Sequence, residues 1–287
     1  SYIAFGEIIA FIIGWDLILE YALSAATVAV GWSGYFVNLL DNFGIHIPTA
    51  LTTAAGTTPG VTSYFNLPAF LVVLIITWVI SMGITQTKRV NDTMVIVKLL
   101  VIILFIACTV WFIKPQNWHP FSPYGWYSHH NGTAIGIIPG ASIVFFSFIG
   151  FDSVSSSAEE TINPSKTLPR GILLSLIIST ILYFCMTLTM TGVVRYPVFR
   201  KYINAPVLAV LAKTGQSWLS IIVSIGAILG MTTVILVQLY GQSRISYSMS
   251  RDGLFPKFFG QVDEKHQTPF KGTWFFGIIT SLGAGLI

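Results

Sequence analysis

Of the 287 residues, 54% are apolar and only 9% are Asp, Glu, Lys or Arg, against about 25% charged residues in ordinary soluble domains. That balance excludes a soluble globular domain, and a net charge of +4 is too slight to imply a nucleic-acid partner. Cys108 and Cys185 both fall inside apolar runs, so no disulfide framework is indicated. The five histidines (His46, His119, His129, His130 and His266) fall outside the apolar runs, which argues against an intramembrane metal or a histidine catalyst.

Several runs approach the roughly 20 apolar residues that cross a bilayer core. In chain order the expected spans are 8–40 (long enough to tilt or bend), 68–87, 93–113, 134–157, 171–193, 217–243 and 272–287. All should be helices, because backbone polar groups in lipid must be satisfied within the segment or by a closed barrel. These runs lack the alternation of barrel strands. The expectation is an all-α polytopic membrane protein, with residues 1–287 forming one transmembrane domain with short loops. The first apolar run carries acids and lacks a basic leading region, so it does not read as a cleavable signal. A start at Ser1 and an end within "TSLGAGLI" read as an internal piece of a longer protein.

Lys and Arg divide unevenly between the two sets of connections. One set holds Lys88, Arg89, Lys166, Arg170, Arg244, Arg251, Lys257, Lys265 and Lys271; the other holds Lys114, Arg195, Arg200, Lys201 and Lys213. The richer set is expected to face the cytoplasm, which puts the Ser1 side in the cytoplasm of a multi-pass cell-membrane protein. The stretch "WFIKPQNWHPFSPYGWY" (111–127) fits an outer interfacial belt.

An ionisable group inside a span needs a physical reason. In "FFSFIGFDSVSSSAEE" (145–160), Gly150 and Asp152 follow a charge-free run from Thr133. Either the helix has reached the cytoplasmic interface at Asp152, or Gly150 marks a break whose bared N–H and C=O groups must find other partners. Broken helices at mid-membrane are how many secondary transporters build substrate sites. Glu20 has no charge between it and Asp41, and it shares a face with Asp16 and Ser24 at four-residue spacing. Ala25, Ala26 and Ala29 extend that region with small side chains suited to close packing. It is either an interior polar face or a structural carboxylate bonded to neighbouring backbone. Lys98 sits five residues into "TMVIVKLLVIILFIACTVWF". It either snorkels to the interface or is desolvated enough to exchange a proton near neutral pH.

"FFSFIGFDSVSSSAEETINPSKTLPRGI" (145–172) and "YGQSRISYSMSRDGLFP" (240–256) resemble signatures of the amino acid–polyamine–organocation (APC) superfamily. "GEIIAFIIGWDLILEYALSAATVAVGW" (6–32) is most similar to its cationic amino acid transporter branch and bacterial homologues. The resemblance implies ten core spans in two inverted repeats of five, a leucine-transporter-like fold with a discontinuous helix. This chain would correspond to the third span through part of the ninth. The family's first span, with its glycine-rich break for the substrate carboxylate, would lie outside it.

Carried onto matching positions, the resemblance implies that backbone carbonyls around Phe146, Ser147 and Ile149, with Gly150 at the break, hold a substrate ammonium. Exposed carbonyl dipoles at a half-helix end suit a cation. Phe146 resembles an aromatic that closes over the substrate, Ser24 would line the pocket, and Thr232 and Thr233 in "GMTTV" would add to the lining. Lys98 matches a lysine of proton-coupled members, and Glu20 and Asp152 match acids that couple protonation to movement. Arg244, Arg251 and Asp252 read as cytoplasmic hinge and gate contacts rather than ligands. The implied function is proton-coupled amino acid symport by alternating access, with the proton as coupling ion and no cofactor or metal. The substrate is an amino acid, the setting is the lipid bilayer, and no partner subunit is specified. Exchange without proton coupling is the alternative within that class. A seven-span receptor or channel is the alternative from another class. A membrane hydrolase would need a nucleophile and base within reach, and no histidine lies in a span.

Overall fold

Apolar segments in lipid must satisfy their own backbone, and the chain does so almost wholly with helices. A computed structural model describes residues 2–54, 63–83, 88–130, 132–148, 150, 163–202, 205–263 and 268–286. The helices are α1 (Tyr2–Asn42), with non-helical backbone at Gly6, α2 (Leu67–Ser81), α3 (Lys88–Thr109) and α4 (Ile137–Val144). They continue with α5 (Pro164–Val193), α6 (Pro206–Thr214), α7 (Ser217–Arg251) and α8 (Phe270–Leu286). Among the described residues, four helical stretches are long and apolar enough to cross a membrane: Gly6–Asn42, Asp92–Phe112, Ser165–Val193 and Ser217–Arg251. The chain is a helical, multi-pass membrane protein. At 1.5 Å per residue, α2 and α8 reach only about 22 and 26 Å.

The helices run past several expected bounds, because helical geometry continues into polar sequence beyond the apolar run. α5 starts at Pro164 rather than 171, and α7 continues to Arg251 rather than 243. The stretch 134–157 departs in the other sense. Its first residues belong to a two-stranded antiparallel hairpin, β1 (Ser128–His130) and β2 (Thr133–Ile135), in which His129 opposes Ala134. Gly136 then adopts φ 120°, and a Cβ there would lie 2.9 Å from the Trp126 carbonyl oxygen. Only after that glycine can the chain turn into α4 at Ile137.

The chain divides into two compact units, 1–101 with 220–287, and 102–219. In the first, a core is built from Ala25, Ala26 and Ala29 of α1, Val72, Val73 and Ile76 of α2, Ile235 and Leu239 of α7, and Ala284 of α8. The small-residue face of α1 therefore lies buried, as the sequence leads one to expect. Asn66, 1% exposed, ties three helices together. Its Oδ1 accepts from the Ala69 N–H at 3.2 Å, capping α2, and from Ser33 Oγ of α1 at 2.7 Å. Its own N–H donates to the Gly285 carbonyl of α8 at 2.8 Å.

In the second unit, the turn Pro115–Trp118 is stitched to the end of α5. Lys114 N–H donates to the Gly192 carbonyl at 2.9 Å, and Asn117 Nδ2 donates to the carbonyls of Gly192 at 2.7 Å and Val193 at 3.1 Å. Gly192 leaves room for this seam, since a Cβ there would lie 2.9 Å from Ile113 and 3.0 Å from Trp118.

Candidate functional site

The expected site residues fall in both units. In the first unit, the four residues "GMTT" of α7 interlock with α1 and α3 one after another. Gly230 faces the stem of Lys98, where a Cβ would lie 2.8 Å from Cδ. Met231 packs where a Cβ on Gly31 would meet its sulfur at 3.3 Å. Thr232 Oγ1 accepts from Trp32 Nε1 at 3.0 Å, and Thr233 Oγ1 accepts from the ammonium of Lys98 at 2.8 Å. Lys98 is partly buried, and Thr233 is its hydrogen-bond partner among the described residues. Its ammonium is thus turned towards α7, with the stem lying over the glycine.

The two threonines have little donor capacity left for a substrate. Thr232 donates to the Ile228 carbonyl and Thr233 to the Gly230 carbonyl, each at 2.7 Å. Such back-bonding uses the one hydroxyl proton and leaves each oxygen only one more acceptor position. Either can still accept from an N–H, and neither can donate to a carboxylate without breaking its bond to the helix.

Ser24 is buried and accepts from Gln238 Nε2 at 3.1 Å. One turn along α7, Gln242 donates through Nε2 to the Ile18 carbonyl at 3.0 Å. Gln238 and Gln242 are 4% and 1% exposed, and their Oε1 atoms have no hydrogen-bond partner among the described residues. Glu20, one turn from Ser24, is intermediate in burial, and Asp16 is exposed. The polar face expected from Asp16, Glu20 and Ser24 is therefore graded, with Ser24 innermost. The "SMSRDGLFP" segment serves as a turn after α7. Ser250 Oγ donates to the Pro256 carbonyl at 2.8 Å, and Met249 packs with Ile18, Phe259 and Phe276.

In the second unit, α4 runs into a 3₁₀ segment, Phe145–Phe148, and Gly150 adopts φ 120°. That left-handed value is costly for any residue with a Cβ. Helical geometry does not continue through Gly150. Ser147 is exposed, and its carbonyl accepts from the hydroxyl of Tyr183 on α5 at 3.0 Å. The Tyr183 ring also meets Phe148 edge-on at 5.3 Å. The side chain of Phe146, Ile149 and Asp152 lie outside the described residues.

Four residues at these contacts were not expected from sequence: Trp32, Gln238, Gln242 and Tyr183. A weak signal was present, since each puts a hydrogen-bonding tip inside an apolar run, where such a tip has to find a partner. No group of three or more His, Cys, Asp or Glu among the described residues could hold a metal ion.

Long apolar helices, buried polar groups bridging one helix to the next and a chain turn at Gly150 within an apolar run place this protein among the polytopic helical membrane proteins. A family model described as amino acid permease matches residues 1–287, and the chain belongs to that family, within the APC superfamily. It is 51% identical over its whole length to the branched-chain amino acid permease BcaP of Bacillus subtilis (strain 168), and 43% identical to the methylthioribose transporter of the same organism. It covers 60% of each of those proteins. It is also 35% identical, over 91% of its length, to the chloroplastic cationic amino acid transporter 9 of Arabidopsis thaliana, of which it covers 45%. The chain thus spans roughly half to three-fifths of the length of these relatives, which are permeases and transporters rather than enzymes.

Proposed function

We propose that this chain is part of a proton-coupled amino acid symporter that works by alternating access in the cell membrane, with the Ser1 side cytoplasmic. The observation that carries the reading is the setting of Lys98. Its ammonium is held against Thr233 of α7 at 2.8 Å, inside a helix that belongs to a permease family. A lysine that merely snorkels would direct its ammonium to the membrane surface. One turned onto a threonine between helices can bias their packing when its charge changes. Glu20 and Asp152 are the acids proposed to answer that change.

In this reading carbonyls around Phe146, Ser147 and Ile149, beside Gly150, would hold the substrate ammonium, and Ser24, Thr232 and Thr233 of the first unit remain separate candidate substrate contacts. The φ of 120° at Gly150 supports the break. The donor-saturated threonines suit an N–H group better than a carboxylate. Identity of 51% to a branched-chain amino acid permease supports leucine, isoleucine or valine as substrate class.

The test uses the full-length protein in proteoliposomes. An inward proton gradient should drive accumulation of labelled leucine. Lys98→Ala should lose that accumulation while retaining exchange of internal for external leucine. Uptake that requires internal amino acid in the unaltered protein would favour exchange without proton coupling, and a Lys98→Ala protein with unchanged pH dependence would move the proton role elsewhere.

A further inference from the structure

The second unit holds a cavity of about 510 Å³ that the transport reading does not use. Three cations line it: Lys114 after α3, Arg195 after α5 and Lys213 in the last turn of α6. All three are exposed. The Lys/Arg distribution puts them on the side of the membrane that otherwise carries few positive charges, so insertion into the membrane does not account for them.

The cradle is built rather than incidental. Arg195 is anchored through Nη2, which donates to the His119 carbonyl at 3.2 Å, and a guanidinium has further donors in a fixed fork. Asn117, which also lines the cavity, fixes the turn Pro115–Trp118 to the carbonyls that end α5. Apart from Tyr202, the rest of the lining is apolar: Val193, Val194, Val198, Ala209 and Ala212. A lining that combines three cations with valine and alanine fits an amphiphilic anion, and clustered Lys and Arg beside membrane helices recognise phosphate-bearing headgroups.

We propose that this cavity binds a phosphate-bearing anion, with the headgroup of an anionic phospholipid as the source that fits its apolar walls. Binding there would tie the ends of α3, α5 and α6 to the membrane surface.

The experiment follows the thermal unfolding midpoint of the full-length protein in detergent. It is titrated with phosphatidylglycerol, with phosphatidylcholine and with inorganic phosphate at constant ionic strength. A ligand of the folded state raises the midpoint with concentration. Phosphatidylglycerol should raise it where phosphatidylcholine does not. The triple variant Lys114→Gln, Arg195→Gln, Lys213→Gln should weaken the apparent affinity roughly a hundredfold, at about fivefold per cation. The control Lys166→Gln, Arg170→Gln, Lys257→Gln should leave it unchanged. If inorganic phosphate reproduces the whole shift at equal concentration, the anion site stands and the lipid source falls. No shift from either ligand, or equal loss in the control, overturns the proposal. Should the triple variant fail to fold, photoactivatable phosphatidylglycerol on the unaltered protein decides. Label in 193–213 supports the site, and label confined elsewhere overturns it.

Discussion

The hydroxyl of Tyr183 donates to the main-chain carbonyl of Ser147 at 3.0 Å. One of the carbonyls proposed to face the substrate ammonium is thereby held in place from α5. A carbonyl oxygen has two lone pairs, so one remains for the ligand while the hydroxyl fixes its direction. Tyr183→Phe keeps the ring that meets Phe148 and removes only the hydroxyl. A neutral hydrogen bond contributes about 1 kcal/mol, so KM for leucine should rise roughly fivefold with kcat and expression near normal. Uptake kinetics check this, and an unchanged KM would detach Ser147 from the substrate.

Gly230 and Thr233 set the position of Lys98, and each can be altered without touching the lysine. Thr233→Val keeps the shape of the side chain and deletes the oxygen that accepts from the ammonium. Gly230→Ala puts a Cβ within 2.8 Å of the stem, which a flexible side chain can avoid only by leaving its place. Gly230→Ala should reduce gradient-driven leucine uptake several-fold while leaving exchange of internal for external leucine intact, and Thr233→Val, which alters a proposed lining residue as well, should reduce gradient-driven uptake more than exchange. Loss of both activities together would mean that these residues support the fold rather than the coupling.

The long helices were legible because length and apolarity act locally, and 8–40, 171–193 and 217–243 fall within observed helices, whereas 134–157 does not. Gly150 stood out for the same reason, since a glycine inside an apolar run is a local departure, and it carries a φ of 120°. The hairpin before α4 was not, because His129, Ala134 and Gly136 acquire meaning only once paired across a turn. Trp32 and Thr232 are 200 residues apart, and Ser24 and Gln238 are 214 apart. Periodicity carries no information about which helix a polar tip will meet. Lys98 stood out as a charge, but its direction depends on Gly230, which reads in sequence as one more membrane glycine.

The bond between Ser24 and Gln238 joins α1 to α7 in a buried setting. Within membrane proteins such interhelical bonds contribute only about 0.6 kcal/mol on average. A double-mutant cycle of Ser24→Ala and Gln238→Ala, read by unfolding of the full-length protein, should give a coupling of about that size and below roughly 2 kcal/mol. If Ser24 also touches substrate, Ser24→Ala will raise KM beyond any effect of Gln238→Ala. Equal kinetic effects from the two variants would make Ser24 a packing residue.

Close approach of α2 and α8 rests on Gly277, where an added Cβ would overlap the side chain of Thr77. Thr77 is fully buried, and its hydroxyl is bonded to the Val73 carbonyl at 2.7 Å, so it cannot swing aside without losing that partner. Both glycine and threonine therefore have to be small where the two helices touch. Gly277→Ala should destabilise by about 1–3 kcal/mol, the usual cost of overpacking a close-packed site. Thr77→Ala in the same protein removes the two atoms that come nearest but leaves Thr77 Cβ at 2.9 Å, so recovery should be partial. Thermal unfolding of the two single variants and the double variant measures this. A double variant no more stable than Gly277→Ala alone would show that α8 yields by moving as a whole, and that the contact at Thr77 does not set its distance from α2.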